Sequence, residues 1–381
     1  MKNPDMTDPP VLKGHEERGA ALVTALIFLA VLTIFAAAAV TTTITDTRLA
    51  ARFKVEQKAH FIAEAGFQHA LGVLAGMTFQ EALDGPDGDK SATADNGILG
   101  AVGAGPRSYG DGTYSVRIVG TVPGNWTDTD SKVFVRSTGI CGSARRTVEV
   151  LIERKLPGNI RGAVTTNGPA STSGNLRIDG RDHDMSGTDV VSSNGVYGVS
   201  TRNTFSQGGS SDVGGTSSTH SNYAPSRPAN AAVVEQNATW PPPVTPDEVL
   251  DLPAGTLKSL AQASGKYYNG TTPSGTLSGV TYIEGDWDNA TINGSGILVL
   301  HNLTNEAFLN KFQAGTFTGL IIADKLDKIH GTLVGAISVL STVHTGIGNG
   351  SGEVIFSRAA LDHAMLSGGI KPKVLTWRDG E

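Results

Sequence analysis

The chain has 381 residues and one cysteine, Cys141, so it can close no internal disulfide and offers no cysteine-based zinc site. Charge is also scarce. Asp, Glu, Lys and Arg make up 17% of the chain, and 30 bases against 36 acids leave a formal charge of −6. That balance argues against a protein that coats nucleic acid. No proline stands between Pro10 and Pro86, so no ring interrupts a long helix there. The scattered histidines form no HExxH, and neither Gly208-Gly209 nor Gly214-Gly215 leads into the Lys-Ser/Thr of a phosphate loop. Glycine, in contrast, is plentiful at 48 residues, well above the roughly 7% of ordinary usage. Much glycine with few charges points to turn-rich β structure.

One long apolar run is present, AALVTALIFLAVLTIFAAAAV from Ala20 to Val40, which is uncharged and broken only by Thr24 and Thr33. About 20 apolar residues suffice to cross the hydrocarbon core as a helix. Beyond it, Ile44, Leu49, Phe53, Phe61, Ala65, Leu71 and Leu74 recur at helical intervals, which predicts one helix from Ala20 to about Ala75. A secretory signal, with Ala36 to Ala39 as its cleavage region, and a plain membrane anchor both fit the run. Three Lys/Arg precede the span and four closely follow it, so the charge bias does not set its orientation.

A third reading rests on the junction Glu16-Glu17-Arg18-Gly19-Ala20-Ala21-Leu22-Val23, where a polar leader abuts an apolar helix. This junction resembles a type IV prepilin. With RLAARFKVEQKAHFIAEAGFQHAL and its Ala63-Glu64-Ala65, residues 16–75 resemble the N-terminal region of PilX-type minor pilins. The resemblance implies cleavage after Gly19 and methylation of Ala20 by a prepilin peptidase. One departure matters. Major pilins carry Glu at the fifth mature position, where it pairs with a neighbour's free amine; counting from Ala20, this chain has Thr24. A carboxylate in a membrane is kept for a partner. Its lack implies a minor subunit at or near a filament tip.

Residues 84–110 read as a linker rich in Gly, Asp and Ala. Apolar and polar residues then alternate over 114–119, 132–137 and 145–154, which predicts a sheet able to cover the amphipathic half of the helix. Arg136, Arg145, Arg146, Arg154 and Lys155 could form a basic patch, but the intervening Glu149 and Glu153 favour a solvated sheet face. Residues 156–230 are dominated by Gly, Ser, Thr and Asn. Disorder and short strands joined by tight turns both remain open for them. Thr245-Pro-Asp-Glu-Val-Leu starts a short helix, with Thr245 as cap and Pro246 in the first turn. Short apolar strands follow at 297–300, 320–322, 333–340 and 354–356, which suggests the stacked coils of a β-solenoid, with a sandwich as the alternative. The closing Lys371-Pro-Lys-Val-Leu-Thr-Trp-Arg also resembles the ends of large PilX-type proteins.

The fold expected is therefore α+β: a long pilin-type helix on an antiparallel sheet, then a β-rich, solenoid-like domain. The divisions are 1–19 leader, 20–83 helix, 84–155 sheet, 156–244 Gly/Ser/Asn-rich segment and 245–381 β domain. Asp182, Asp184 and Asp189 are calcium candidates, although no Glu completes an EF-hand loop. Asp286, Trp287 and Asp288 invite a sugar, with the indole as stacking surface. No catalytic set emerges, so a non-enzymatic role is expected, with no cofactor beyond calcium. By resemblance the partners are other minor pilins, the major pilin, prepilin peptidase, a tip adhesin and the inner membrane, with no nucleic acid. Location would pass from the inner membrane to the pilus on the cell surface. A type II secretion pseudopilin, or an anchored carbohydrate-binding or carbohydrate-cleaving solenoid, is the alternative.

Overall fold

A computed structural model describes residues 16–74, 77–84, 106–122, 131–154, 159–343, 345–348, 351–370 and 372–380. Most of the leader, and most of the linker expected over 84–110, lie outside these residues.

The proline-free stretch forms a single helix, Glu16–Leu74, of 59 residues. At 1.5 Å per residue its length is roughly 88 Å. Thr41, Thr42, Thr43, Thr45 and Thr47 would weaken a water-exposed helix through their β-branching. Here each hydroxyl donates to a carbonyl one turn back, as Thr41 does to Ala37 at 2.7 Å and Thr45 to Thr41 at 2.8 Å. Satisfied in this way, the threonines need no water. The first part of the helix is exposed along its length, and it is long and apolar enough to cross a membrane.

From Ala59 onward the helix buries one stripe, Ala59, Ile62, Ala63, Phe67, Ala70 and Leu74, at the three- and four-residue spacing of a single face. The stripe lies on a five-stranded antiparallel sheet. In spatial order its strands are Arg107–Tyr109, Gly112–Gly120, Lys132–Cys141, Ala144–Glu153 and Lys373–Gly380. Alternation works as expected: Val116 and Ile118, Val133 and Val135, and Val148 and Val150 face the helix and are buried. The small side chains of the stripe bring the two backbones close. A Cβ on Gly139 would stand 2.2 Å from the Ala59 carbonyl oxygen and 2.5 Å from the Ala63 nitrogen.

The last strand of this sheet comes from the end of the chain, which corrects the division at 245–381. Lys373–Gly380 pairs antiparallel with Ala144–Glu153, with Lys373 opposite Glu153 and Gly380 opposite Thr147. Everything between is therefore inserted between two neighbouring strands of the sheet.

The insertion is a parallel β-solenoid. Val280, Ile297, Leu320 and Ala336 stand side by side in one ladder of successive coils. A second wall is built from Ala290–Thr291, Phe308–Ala314 and Lys325–Ile329. The sandwich alternative does not apply. The described residues 159–244 take the alternative of short strands and are not a separate segment. Gly162–Thr166 pairs in parallel with Thr332–Val339, and Tyr197–Thr201 pairs with Gly162–Thr166, so the early coils stack on the last late one. Both belong to one apolar core that runs from Ile160 to Ala364 and is distinct from the core under the long helix.

A column of glycines, Gly279, Gly296, Gly319 and Gly335, crosses the late coils, each with positive φ. The Cβ missing from Gly319 would stand 2.1 Å from the Gly296 carbonyl oxygen and 2.9 Å from the Ala364 Cβ. The column is thus a slot for the helix Arg358–Ser367, whose Ala360, Leu361 and Ala364 are buried. Thr245 caps the short helix Pro246–Val249 as expected, accepting from the Glu248 nitrogen. The helix Thr256–Ala263 covers the strands Tyr267–Asn269 and Val280–Glu284, and the antiparallel strand Asn222–Ser226, carrying Pro225, lies on the edge of Asp212–Thr216. Such caps keep open ladder ends from pairing with other chains.

Candidate functional site

The residues with most to do are on the long helix and where it meets the sheet. Gly19 and Ala20 lie in its first turns, and Thr24 is exposed one turn further on. Ala21, Thr24, Ala25, Phe28 and Leu32 share one exposed surface. No charge breaks the helix between Ala20 and Val40, so a packing partner for this part meets only apolar groups and threonine hydroxyls.

At the opposite end, Arg154 fastens the helix C-terminus. Its Nη2 donates to the Leu74 carbonyl at 2.7 Å and its Nη1 to the Met77 carbonyl at 2.9 Å. The guanidinium also lies 4.5 Å from the centre of the Phe79 ring. A cation at the last turn meets both the orphan carbonyls and the negative end of the dipole. Arg154 is buried at 4% exposure, which removes it from the basic patch considered for this sheet. Arg136 pairs with Glu149 and Arg146 with Glu56, the latter at 2.6 Å. These charges are spoken for within the chain.

Glu149 clasps the terminal strand. It receives Arg378 Nε at 2.6 Å and Arg136 Nε on its other oxygen, while Arg378 also lies over the Phe134 ring at 5.4 Å. One strand residue back, Trp377 meets Phe67 of the helix edge-on at 4.9 Å. Helix, sheet and chain end are thus joined at one place. Burial works against the Glu149 carboxylate, but hydrogen bonds from Arg136 and Arg378 outweigh it and hold its pKa below the ordinary 4.5. A depressed carboxylate stabilises the fold above the unfolded-state pKa, and the contribution fades as pH falls through the folded value. Acidification below about pH 4.5 is therefore expected to release residues 373–380 early. Hydrogen exchange across 373–380 as a function of pH checks this, and Glu149→Gln should abolish the acid step.

The solenoid candidates are placed differently from what the sequence suggested. The calcium set does not converge. Asp182 is buried and accepts from the Arg358 nitrogen at 2.9 Å and the Ser192 hydroxyl at 2.9 Å, tying its turn to the helix Arg358–Ser367. Asp184 closes its own turn, accepting from Ser186, Thr188 and Asp189. Its pKa is lowered to about 2, first by the Ser186 hydroxyl. Asp189 is exposed and contributes its backbone carbonyl to that turn. Among the described residues no cluster of three or more His, Cys, Asp or Glu is placed to hold a metal.

The sugar candidates are corrected too. Trp287 is 8% exposed and packs in the solenoid core, so its indole offers no open stacking face. Its flanking acids bind the next coil, Asp286 through the Phe308 nitrogen at 2.9 Å and Asp288 through the Asn310 amide at 2.8 Å. Another polar group, not anticipated from the sequence, also joins coils. The fully buried Asp324 holds His301 Nδ1 at 2.6 Å and the backbone nitrogens of Asn302 and Ala307.

The sequence missed Arg154, Glu149 and Arg378 as a group, because their partners are remote in the chain. The one available signal was the basic-aromatic Trp377-Arg378 at the chain end.

Residues 18–68 match the family model for the PilX N-terminal segment. Among curated proteins none matches the sequence. Among solved structures, the competence-associated pilin ComZ from Thermus thermophilus aligns over 86% of this chain and 97% of its own. The identity is 13% and the TM-score 0.24, a score that carries no structural argument. The matched segment spans the exposed apolar helix and much of the stripe that the sheet covers. What the match shows is confined to that segment: residues 18–68 are similar to the N-terminal segment of PilX-type proteins.

Proposed function

We propose that the chain is a non-enzymatic subunit that waits in the inner membrane through residues 20–40 and then enters the filament near its tip. The observation that carries this reading is one uninterrupted helix, bare and apolar in its first part and covered by a sheet in its second. The bare part suits lipid before assembly and neighbouring helices after it. Gly19 and Ala20 are the proposed processing site for a prepilin peptidase. Thr24 in place of a carboxylate leaves a neighbour's amine unmatched, which disfavours repeated incorporation along a shaft. Its partners would be the major pilin and other minor pilins, and a tip adhesin would meet the displayed solenoid. Because the solenoid enters and leaves through adjacent strands, it is held at two points and displayed as a stiff unit.

The test is to shear filaments from cells and locate the chain by immunogold labelling. The wild type is expected at filament ends. Gly19→Val should reduce its amount in the sheared fraction at least tenfold, while Thr24→Glu should spread it along the shaft. Equal recovery of Gly19→Val, or wild-type label spaced evenly along filaments, would overturn the proposal.

A further inference from the structure

The solenoid carries a hollow of about 340 Å³ between the turns of its early coils, away from the helix and from Trp287. Ile160 and Val196 give it an apolar floor. Around that floor stand Arg161, Tyr197, Ser218 and His220. The volume is at the lower end of the roughly 300–1,000 Å³ range of small-molecule sites.

Two of these elements are held in advance. Arg161 makes a two-point contact with Glu235, Nε to Oε2 at 2.9 Å and Nη2 to Oε1 at 2.8 Å, and the Ser200 hydroxyl donates to the same carboxylate at 2.6 Å. The guanidinium plane is thereby fixed, while its Nη1 has no hydrogen bond within the described residues. The turn carrying His220 is closed by Ser217 N to Ser221 O at 3.0 Å and His220 N to Ser217 O at 2.9 Å. Within it the Ser217 hydroxyl meets Thr219 at 2.9 Å, and His220 takes a φ of 61°. The Tyr197 hydroxyl, the Ser218 hydroxyl and the His220 ring likewise lack a hydrogen bond within the described residues.

We infer that this hollow is a binding site for a neutral saccharide. An aromatic ring beside an apolar floor suits the C–H face of a sugar ring, and fixed donors and hydroxyls around the rim suit its hydroxyls. The charge arrangement selects against an anion. Arg161 is already neutralised by Glu235, so the hollow supplies directional hydrogen bonds without a net positive field. Gly195 at the rim packs closely on its neighbours, where a Cβ would stand 2.3 Å from the Thr216 hydroxyl and 2.5 Å from the Gly180 carbonyl oxygen.

The test uses the full chain in lipid nanodiscs and saturation-transfer NMR. The neutral probes are methyl glycosides of glucose, galactose and mannose together with N-acetylglucosamine, and galacturonate is the charged comparison. At least one neutral probe is expected to give saturable transfer, falling tenfold or more in both Tyr197→Ala and Ser218→Tyr. Ser218 is exposed on its turn, so the second variant fills the hollow without disturbing the core. No transfer from any neutral probe would overturn the assignment. So would transfer unchanged in both variants, or stronger transfer from galacturonate than from every neutral sugar.

Discussion

Gly319→Val is expected to unfold the solenoid at least ~10 °C below the wild type while leaving the helix-and-sheet unit in place. Two costs combine at this position. The φ of 138° is one that a β-branched side chain avoids. The new Cβ would also meet the Gly296 carbonyl oxygen at 2.1 Å and the Ala364 Cβ at 2.9 Å. The oxygen belongs to the adjacent ladder strand, and Ala364 to the helix seated in the glycine slot, so neither can yield alone. Overpacking typically costs about 1–3 kcal/mol, and losing the seat of the helix Arg358–Ser367 adds to it. The sum falls in the range of roughly 4 kcal/mol or more that marks a severe substitution. Differential scanning calorimetry would read it, because the solenoid core and the helix-sheet core are separate clusters. A single transition at the wild-type temperature would contradict this account of the slot.

Gly139→Val should have the opposite distribution: the solenoid stays folded and the long helix leaves the sheet. Here the obstacle is helix backbone, the Ala59 oxygen at 2.2 Å and the Ala63 nitrogen at 2.5 Å from the new Cβ. Rotating a side chain cannot relieve that contact. Lifting the helix also uncovers Ile62 and Phe67, and fully burying such side chains is worth about 1.5–3 kcal/mol each. The expected result is rapid hydrogen exchange across residues 59–74 with protection in the solenoid strands unchanged. Unaltered protection of 59–74 would mean that the stripe of small residues does not set the distance between helix and sheet.

The helix was legible because an uninterrupted apolar run and a lack of proline are local properties. The antiparallel sheet was legible for the same reason, through alternation over 114–119, 132–137 and 145–154. What stayed hidden depended on contacts between remote residues. Lys373–Gly380 reads as an ordinary end of the β domain until it is found beside Ala144–Glu153. The early coils looked polar because Thr165, Thr166, Ser200 and Thr201 fill buried places that a sequence reading reserves for Val or Ile. In these tight coils small hydroxyls fit, and their oxygens turn back to the main chain, as Thr166 and Thr201 do to the Gly168 carbonyl. Asp286-Trp287-Asp288 looked like a ligand site because acids beside an aromatic are ambiguous. Only the next coil, at Phe308 and Asn310, shows that the acids bind protein. Arg154 belonged to a plausible surface patch until the carbonyl of Leu74 was found within its reach.

The proposed role requires residues 18–68 to be inserted in a membrane, trimmed and then assembled. The most direct measurement is the N-terminal mass of the chain recovered from native membranes. A chain beginning at N-methylated Ala20 is the expected result, with nothing preceding it. A chain still beginning at Met1, or one cut near Val40 and released from the membrane, would contradict that role.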